Sequence, residues 1–281
     1  MSRKSTLSRV RAGIAAVAIA AFALTGCAPA DTATTEESAI TTITPGKLTI
    51  GTGLPAYEPW VVGDAPESGE GFEAAVAYAI AAELGFAAED VVWVRTTFDE
   101  AIAPGAKNFD FNLQQYTITE ERKANVDFSD PYYTTTQTVI TVAGSAAENA
   151  ASLADLKELL VGAASATTSF TAIEEFITPT AGAQAFNSND DAKAALQSGQ
   201  LDALVVDLPT ALYLTCCDLT DGKILGQIAG AEGGDSFGLV LDKGSALTAA
   251  VNAAIKALRD NGKLAELEKK WLTDTSAPVL K

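Results

Sequence analysis

Short apolar runs alternate with longer amphipathic stretches along most of this chain. In the first half, the runs at 48–51, 91–94 and 109–113 predict β-strands. Residues 71–84 carry apolar side chains at a spacing of four and predict a helix, and 99–106 predict a second one. This order of strands and helices indicates a βαβαβ unit with a parallel core.

The second half of the chain repeats the alternation. Strands are predicted at 137–142, 160–164, 184–186, 203–206, 224–228 and 237–241, and helices at 151–159, 168–176, 190–198, 208–215, 245–259 and 263–271. The predicted fold class is therefore α/β, with central sheets flanked by helices. In such folds a ligand binds beyond the carboxyl ends of the strands.

The polar stretch after the strand at 109–113 reads QQYTITEERK and carries candidate binding chemistry. Thr117 and Glu120 have the spacing of a capping box, which predicts that a helix begins near Thr117. Arg122 then lies in the first turns, where main-chain amides and a bidentate guanidinium together suit one small carboxylate. The alternative is an ordinary strand–turn–helix with a surface arginine.

The N-terminus has a basic front and an apolar run at 13–24 that is too short to span a membrane as a helix. The sequence LTGC that follows, ending at Cys27, resembles a bacterial lipoprotein cleavage box. This resemblance implies a signal peptide at 1–26 and a lipid on Cys27 that holds the protein on the outer face of the cell membrane. The alternative is an anchor helix with an incidental cysteine. Residues 27–46 predict a flexible tether.

Composition excludes several classes of function. Residues 1–26 carry four of the 19 Lys and Arg and none of the 36 Asp and Glu, so the chain without them has a net charge of −21, which argues against a nucleic-acid partner. The chain has no histidine, which excludes Ser-His-Asp and Cys-His catalysis and removes the commonest transition-metal ligand. No metal or other cofactor is suggested.

The two cysteines other than Cys27 are adjacent, at positions 216 and 217. Adjacent cysteines bridge poorly because the small ring strains the peptide between them, and they lack the CxxC spacing of a metal site. We expect Cys216 and Cys217 to be reduced or incidental thiols.

The motifs ITEER and VDFSDPYY resemble the signature of the family 3 extracellular solute-binding proteins, the amino-acid-binding components of ABC importers. The resemblance runs from about Leu48 to the C-terminus. It implies a type II periplasmic-binding-protein-like fold of two lobes, each with a mostly parallel sheet. The implied first lobe spans 47–136 and 237–281, and the second spans 137–236. Two hinge segments would cross between the lobes near 135–139 and 230–236.

The same resemblance implies how the two poles of an amino acid are held. Arg122, the arginine of the T-x-x-x-x-R stretch, would bind the ligand carboxylate, with a donor added by Thr117. Asp207, which follows a buried strand, would bind the ammonium group, aided by the main-chain carbonyl of Gln115. The alternative for Asp207 is an N-cap of the helix that follows it, and for Thr117 a helix cap alone.

The resemblance also implies contacts from a turn and from aromatic residues. VGAASATTSF is similar to the family's turn that closes main-chain amides onto the carboxylate, with Thr167 and Thr168 in matching positions. Ala166 stands where the family usually has glycine, so a positive φ there would strain the turn. Tyr57 and Phe98 match aromatic residues on either side of the ligand.

For three further residues we expect no direct contact with the ligand. Trp60 is expected to pack in the core, while Glu58 and Glu73 are expected at the solvated surface. No acid precedes Tyr57 in the GTGLPAY segment, which weakly disfavours an arginine or lysine ligand.

We therefore expect a monomeric binding protein that captures an amino acid or a similar zwitterion by lobe closure and delivers it to a membrane permease. Polar amino acids are the first candidates. The alternatives are a ligand-sensing module and a dehydratase-type enzyme on the same fold.

Overall fold

The computed structural model describes residues 40–229, 234–272 and 276–281. The predicted signal peptide, Cys27 and most of the predicted tether lie outside the described residues. The strands are β1 Leu48–Gly53, β2 Val91–Thr96, β3 Phe111–Asn112, β4 Asp127–Phe128, β5 Tyr133–Thr135, β6 Gln137–Val142, β7 Val161–Ala164, β8 Gln184–Phe186, β9 Ala203–Asp207, β10 Gly222–Ile228, β11 Asp235–Phe237, β12 Val240–Leu241 and β13 Val279–Leu280. The helices are α1 Phe72–Glu83, α2 Phe98–Ile102, α3 Glu120–Lys123, α4 Thr168–Ala172, α5 Asn189–Gln197, α6 Leu208–Tyr213, α7 Thr248–Asp260 and α8 Lys263–Trp271.

The first sheet has the strand order β2-β1-β3-β12-β4. β1 is parallel to β2 and β3, as the alternation of the first half predicts, and β12 is antiparallel to β3 and β4. Helices α7 and α8 pack on α1 and share one apolar core with it and with the sheet. The C-terminal helices thus return to the lobe in which the chain began.

The second sheet has the order β13-β10-β6-β9-β7-β8. β7 is parallel to β8 and β9, whereas β6 is antiparallel to β9 and β10. Separate apolar clusters cover its faces, one of them including the π-helical turn Ile173–Ile177 and the other α5 and α6. Each sheet therefore has a core of its own, which divides the body of the protein into two lobes.

Between the lobes lies a two-stranded antiparallel ribbon formed by β5 and β11. It overlaps the expected hinge segments only at Thr135 and at 235–236, and residues 230–233 are outside the described part. The last strand, β13, pairs with β10 of the second sheet. The prediction that all of 237–281 belongs to the first lobe is therefore wrong at its end, because β13 completes the edge of the other sheet.

Two predicted elements differ from the structure for a visible reason. The helix expected at 151–159 is a single 3-10 turn, Leu153–Leu156, because the main-chain carbonyl of Lys157 accepts the Thr180 amide at 2.7 Å and does not continue the helix. The strand expected at 237–241 is divided, because Phe237 pairs with β5 in the ribbon while Val240 pairs with β3 in the first sheet.

The end of the predicted tether belongs to the folded body. The Ile43 amide donates to Asp110 Oδ1 at 2.8 Å, and Ile40 packs on the first core. The prediction of flexibility is therefore wrong for residues 40–46. Among the residues that the structure describes, no helix has both the length and the hydropathy that crossing a membrane requires.

The expectation of free thiols at Cys216 and Cys217 is wrong. The structure joins them in a disulfide within the π-helical turn Leu214–Asp218 that follows α6. Both cysteines are exposed, so no packing opposes the bond.

Candidate functional site

A cavity of about 140 Å³ lies between the two lobes. It is lined by the segments that follow β1, β2 and β3 of the first sheet and β7, β8 and β9 of the second. The carboxyl ends of these strands therefore meet around one space, as expected for α/β lobes. Seven of the predicted site residues line it: Tyr57, Phe98, Gln115, Arg122, Thr167, Thr168 and Asp207.

Arg122 brings a buried positive charge to this cavity. Its side chain lies in α3 and is 8% exposed. Nη1 donates to the Thr117 carbonyl at 2.7 Å, Nη2 donates to the Ala166 carbonyl at 2.8 Å, and the guanidinium lies 5.2 Å from the centre of the Phe98 ring. No carboxylate of the described residues forms an ion pair with it, and burial lowers its pKa. Because two of its five N–H donors are used, the group retains donors for an anion.

Thr117 supports this arginine from outside the cavity lining. The helix begins after Thr119, whose hydroxyl accepts the Arg122 amide, so the predicted start near Thr117 is wrong. Thr117 is instead extended and forms a β-bridge with Phe237. Its hydroxyl lies 3.2 Å from that of Thr168 in the second lobe.

Asp207 brings a negative charge to the opposite wall of the cavity. It precedes α6, but its side chain makes no capping hydrogen bond. Its Oδ1 instead accepts from Gln137 Nε2 at 3.0 Å. Burial, and next the charge of Asp235, raise the pKa of Asp207 well above its usual range, while the Gln137 hydrogen bond and Arg122 lower it. The carboxylate is thus short of positive partners.

Glu73 is a buried acid, and the expectation that it lies at the solvated surface is wrong. It is 1% exposed in the first turn of α1. Oε1 accepts the Gln115 amide at 2.8 Å and the Tyr132 hydroxyl, and Oε2 accepts Gln115 Nε2 at 2.5 Å. These bonds hold Gln115 at a φ of 52°, a left-handed conformation that costs an L-residue about 1–2 kcal/mol. A glutamate in a helix's first turn gives no signal of this role in the sequence.

Glu73 makes the stability of the protein depend on pH. Burial raises its pKa from 4.5 to about 7. Since the folded state holds this proton more tightly than the unfolded chain, the stabilisation is complete below pH 4.5 and is lost as the pH rises to about 7. We expect a loss of about 3 kcal/mol in the free energy of unfolding over that interval.

Urea unfolding of Glu73→Gln across the same interval tests this dependence. In a plot of the free energy of unfolding against pH, the variant should lack this part of the slope, because its amide does not titrate. Glu83→Gln, an exposed change on the same helix, should keep the wild-type slope. Parallel slopes for wild type and Glu73→Gln would contradict the assignment.

The turn after β7 places Thr167 and Thr168 on the second wall. Thr167 caps α4, since its Oγ1 accepts the Phe170 amide at 3.2 Å. Thr168 Oγ1 donates to Asp235 Oδ2 at 2.7 Å. Ala166 has a φ of 57°, so the position where the family usually has glycine does require the left-handed region.

Ala166→Gly is therefore expected to stabilise the protein. Removing the Cβ relieves left-handed strain, partly offset by the entropy glycine gains in the unfolded chain, for a net gain of about 0.5–1 kcal/mol in the free energy of unfolding. Thermal and urea unfolding measure it. The same substitution at Ala185, an exposed strand residue, should destabilise. Equal losses in both variants would show that the turn carries no strain.

Aromatic rings enclose the cavity on the first-lobe side. Phe98 stacks on Tyr116 with ring centres 4.6 Å apart, and Tyr57 lines the cavity with burial raising its pKa to about 12. Trp60 packs among core aromatics, as predicted, and its Nε1–H also donates to Thr210 Oγ1 on α6 at 2.9 Å. This bond is a further link between the lobes.

Several residues of the cavity wall were missed by sequence reasoning. They are mostly amides and hydroxyls at strand ends: Gln114, Ser165, Ser169, Asn187, Ser188 and Asn189. Such residues are common in surface loops, so their type alone gives no signal. Their position directly after a predicted strand is the feature that could have identified them.

Residues 48–274 match the model of the bacterial extracellular solute-binding proteins, family 3. The chain is 32% identical over 218 residues to the ABC transporter glutamine-binding protein GlnH of Bacillus subtilis, covering 75% of this chain and 77% of that protein. It is 30% identical over 234 residues to an L-arginine-binding protein of Pseudomonas aeruginosa, covering 78% and 85%.

Solved structures of the same kind resemble this fold. An ancestral arginine-binding protein bound to glutamine superposes with a TM-score of 0.70 at 31% identity, covering 82% of this chain and all of that one. The ancestral amino acid-binding protein AncCDT-1, a precursor of cyclohexadienyl dehydratase, superposes with a TM-score of 0.67 at 32% identity, covering 81% and 96%. The two-lobed α/β architecture is thus that of the type II periplasmic binding proteins.

Proposed function

Because this chain belongs to the family 3 bacterial extracellular solute-binding proteins, we propose that it captures an amino acid or a similar small zwitterion for an ABC importer. One observation carries the proposal: Arg122 and Asp207 line the same cavity from opposite lobes. A zwitterion presents a carboxylate and an ammonium group, and burying both is costly unless each meets an opposite charge. The cavity offers the guanidinium of Arg122 for the first and the carboxyl group of Asp207 for the second.

In the bound state Arg122, oriented by the main-chain carbonyl of Thr117, holds the ligand carboxylate in a bidentate fork, helped by the turn at Thr167 and Thr168. Asp207 and the carbonyl of Gln115 receive the ammonium group. Tyr57 and Phe98 contact the ligand's side chain and exclude water.

Lobe closure joins the two halves of this site. Three hydrogen bonds already link the lobes around the cavity: Arg122 Nη2 to the Ala166 carbonyl, Thr117 to Thr168, and Trp60 to Thr210. They support a closed arrangement, reached by bending at the ribbon of β5 and β11. The boundaries of the moving lobes are part of the proposal, with the hinges near 135–139 and 230–236.

The site of action is the outside of the cell membrane, where the family works. We further propose that a lipid on Cys27 anchors the protein there as a monomer, and that the closed form docks on permease subunits. Incorporation of labelled palmitate into wild type but not Cys27→Ala tests the anchor.

The ligand class follows from the relatives and from the walls. Relatives are named for glutamine, arginine and cystine, and the cavity wall is rich in amides and hydroxyls. We propose a polar L-amino acid. Thermal shift against the individual common L-amino acids, followed by calorimetry on each positive, tests this. Absence of any shift would contradict amino-acid capture.

Binding, not catalysis, is proposed because the close relatives are binding proteins. The neighbour described as a dehydratase precursor makes turnover the alternative. Mass spectrometry of the ligand after incubation distinguishes them, since a pure binding protein returns it unchanged. Loss of uptake on deletion separates import from a sensing role.

A further inference from the structure

Gln137 lies behind the cavity, at the start of β6. Its side chain is 2% exposed, and its strand position is directly opposite Asp207 of β9. It is not part of the cavity wall. A buried amide must satisfy both its oxygen and its two N–H groups, so its partners define what it does.

The partners of Gln137 are two carboxylates and two hydroxyls, and the longest of these bonds runs from Nε2 to Thr168 Oγ1 at 3.4 Å. Nε2 donates to Asp207 Oδ1 at 3.0 Å and to Asp235 Oδ2, while Oε1 accepts from Ser169 Oγ at 2.6 Å. The amide thus divides its two N–H groups between two acids, and the Ser169 bond fixes which end of the amide faces them.

The two acids come from different parts of the molecule. Asp207 ends β9 of the second lobe, whereas Asp235 begins β11 of the ribbon between the lobes. Neither has a salt-bridge partner among the described residues. Like charges this close repel, and Asp235 raises the free energy of the ionised form of Asp207.

A neutral donor suits this position better than a cation. A lysine or arginine in place of Gln137 would neutralise Asp207 and compete with a ligand's ammonium group. The amide supplies hydrogen bonds that favour the ionised carboxylate but leaves its charge uncancelled. Burial and the charge of Asp235 raise the pKa of Asp207 well above its usual range, and the Gln137 bond is among the contacts that lower it.

We infer that Gln137 is a positioning residue for recognition of the ligand's ammonium group: its hydrogen bond holds the Asp207 carboxyl group toward the cavity, in place to receive that group. This inference rests on the proposed function. It extends the site to Asp235, which accepts a hydrogen bond from Gln137 and so connects the ribbon between the lobes to the part of the site that would receive the ammonium group.

The test compares Gln137→Leu with wild type on two probes. The first is whichever L-amino acid gives the largest thermal shift with wild type, and the second is the corresponding acid without its α-amino group. Leucine removes both donors at similar volume. We expect the variant to bind the amino acid about 10- to 100-fold more weakly, as for lost hydrogen bonds to a charged group, and the desamino acid within about threefold of wild type.

A merely structural role would weaken both probes equally, and that result would overturn the inference. Unchanged amino-acid binding would overturn it as well. Failure of wild type to bind any amino acid would refute the proposed function itself, and the inference with it. These outcomes can be told apart, because the first two compare the variant with wild type on the two probes and the third concerns wild type alone.

Gln137→Glu covers the case in which the leucine variant does not fold. It keeps the shape and the acceptor for Ser169 while replacing the two donors with a third carboxyl group. We expect the same selective loss for the amino acid. As a second check, adding Gln137→Leu to Asp207→Asn should cost no further affinity, because the residue that Gln137 acts through has already lost its charge.

Discussion

Arg122→Ala is expected to weaken ligand binding about 150- to 5,000-fold. A ligand carboxylate would then be buried without its guanidinium, and losing one partner of a buried ion pair costs about 3–5 kcal/mol. Calorimetry with the amino acid selected by thermal shift measures the effect. Micromolar or tighter binding by the variant would refute the role of this arginine.

Folding must be separated from binding in this experiment. Arg122 also donates to the Thr117 and Ala166 carbonyls, so alanine leaves two buried acceptors without that donor. Arg122→Met retains the bulk of the side chain and should bind equally poorly while remaining folded by circular dichroism. Arg259→Ala, which removes an exposed arginine of α7, should bind as wild type does.

Asp207→Asn is expected to weaken binding of the amino acid about 100- to 1,000-fold while leaving the unliganded protein as stable as wild type or more stable. The ammonium group loses its carboxylate, which explains the loss of affinity. The stability follows from the raised pKa of Asp207: burial and Asp235 disfavour the charged carboxylate, and an isosteric amide is free of that penalty.

Calorimetry and thermal unfolding without ligand measure the two effects on the same sample. Asp221→Asn, an exposed change in the second lobe, should alter neither. A variant that loses affinity and melting temperature together would indicate that Asp207 serves the fold and not the ligand.

The cavity wall illustrates what can be inferred without coordinates. Residues that directly follow predicted strands can be placed beside the ligand, because the carboxyl ends of the strands meet at one edge of a sheet. Asp207 was placed at that edge in this way, whereas the unusual demand on Ala166 followed from the family resemblance. Thr117 was placed wrongly in the helix, because Thr117 and Thr119 both precede suitable partners and local sequence does not decide which one caps.

Glu73 and Gln137 could not be found from local sequence at all. A glutamate in the first turn of a helix is ordinary at a surface, and a glutamine in a strand has no preferred partner. The role of Glu73 depends on Gln115, which lies 42 residues away in the chain. The role of Gln137 depends on Asp207 and Asp235, which lie 70 and 98 residues away. Only the folding of the chain into its sheets, with Gln137 directly opposite Asp207, brings those groups within hydrogen-bonding distance.

By itself, the sequence determined the alternation of strands and helices, the start and end of α1 and α8 to within two residues, and the family, because these depend on local periodicity and on short contiguous motifs. The tertiary structure alone decided that β13 joins the second sheet, that Glu73 is buried against Gln115, and that Gln137 bridges Asp207 and Asp235. The physical reason is that these contacts join distant parts of the chain, and their energies come from burial and charge, which periodicity does not encode.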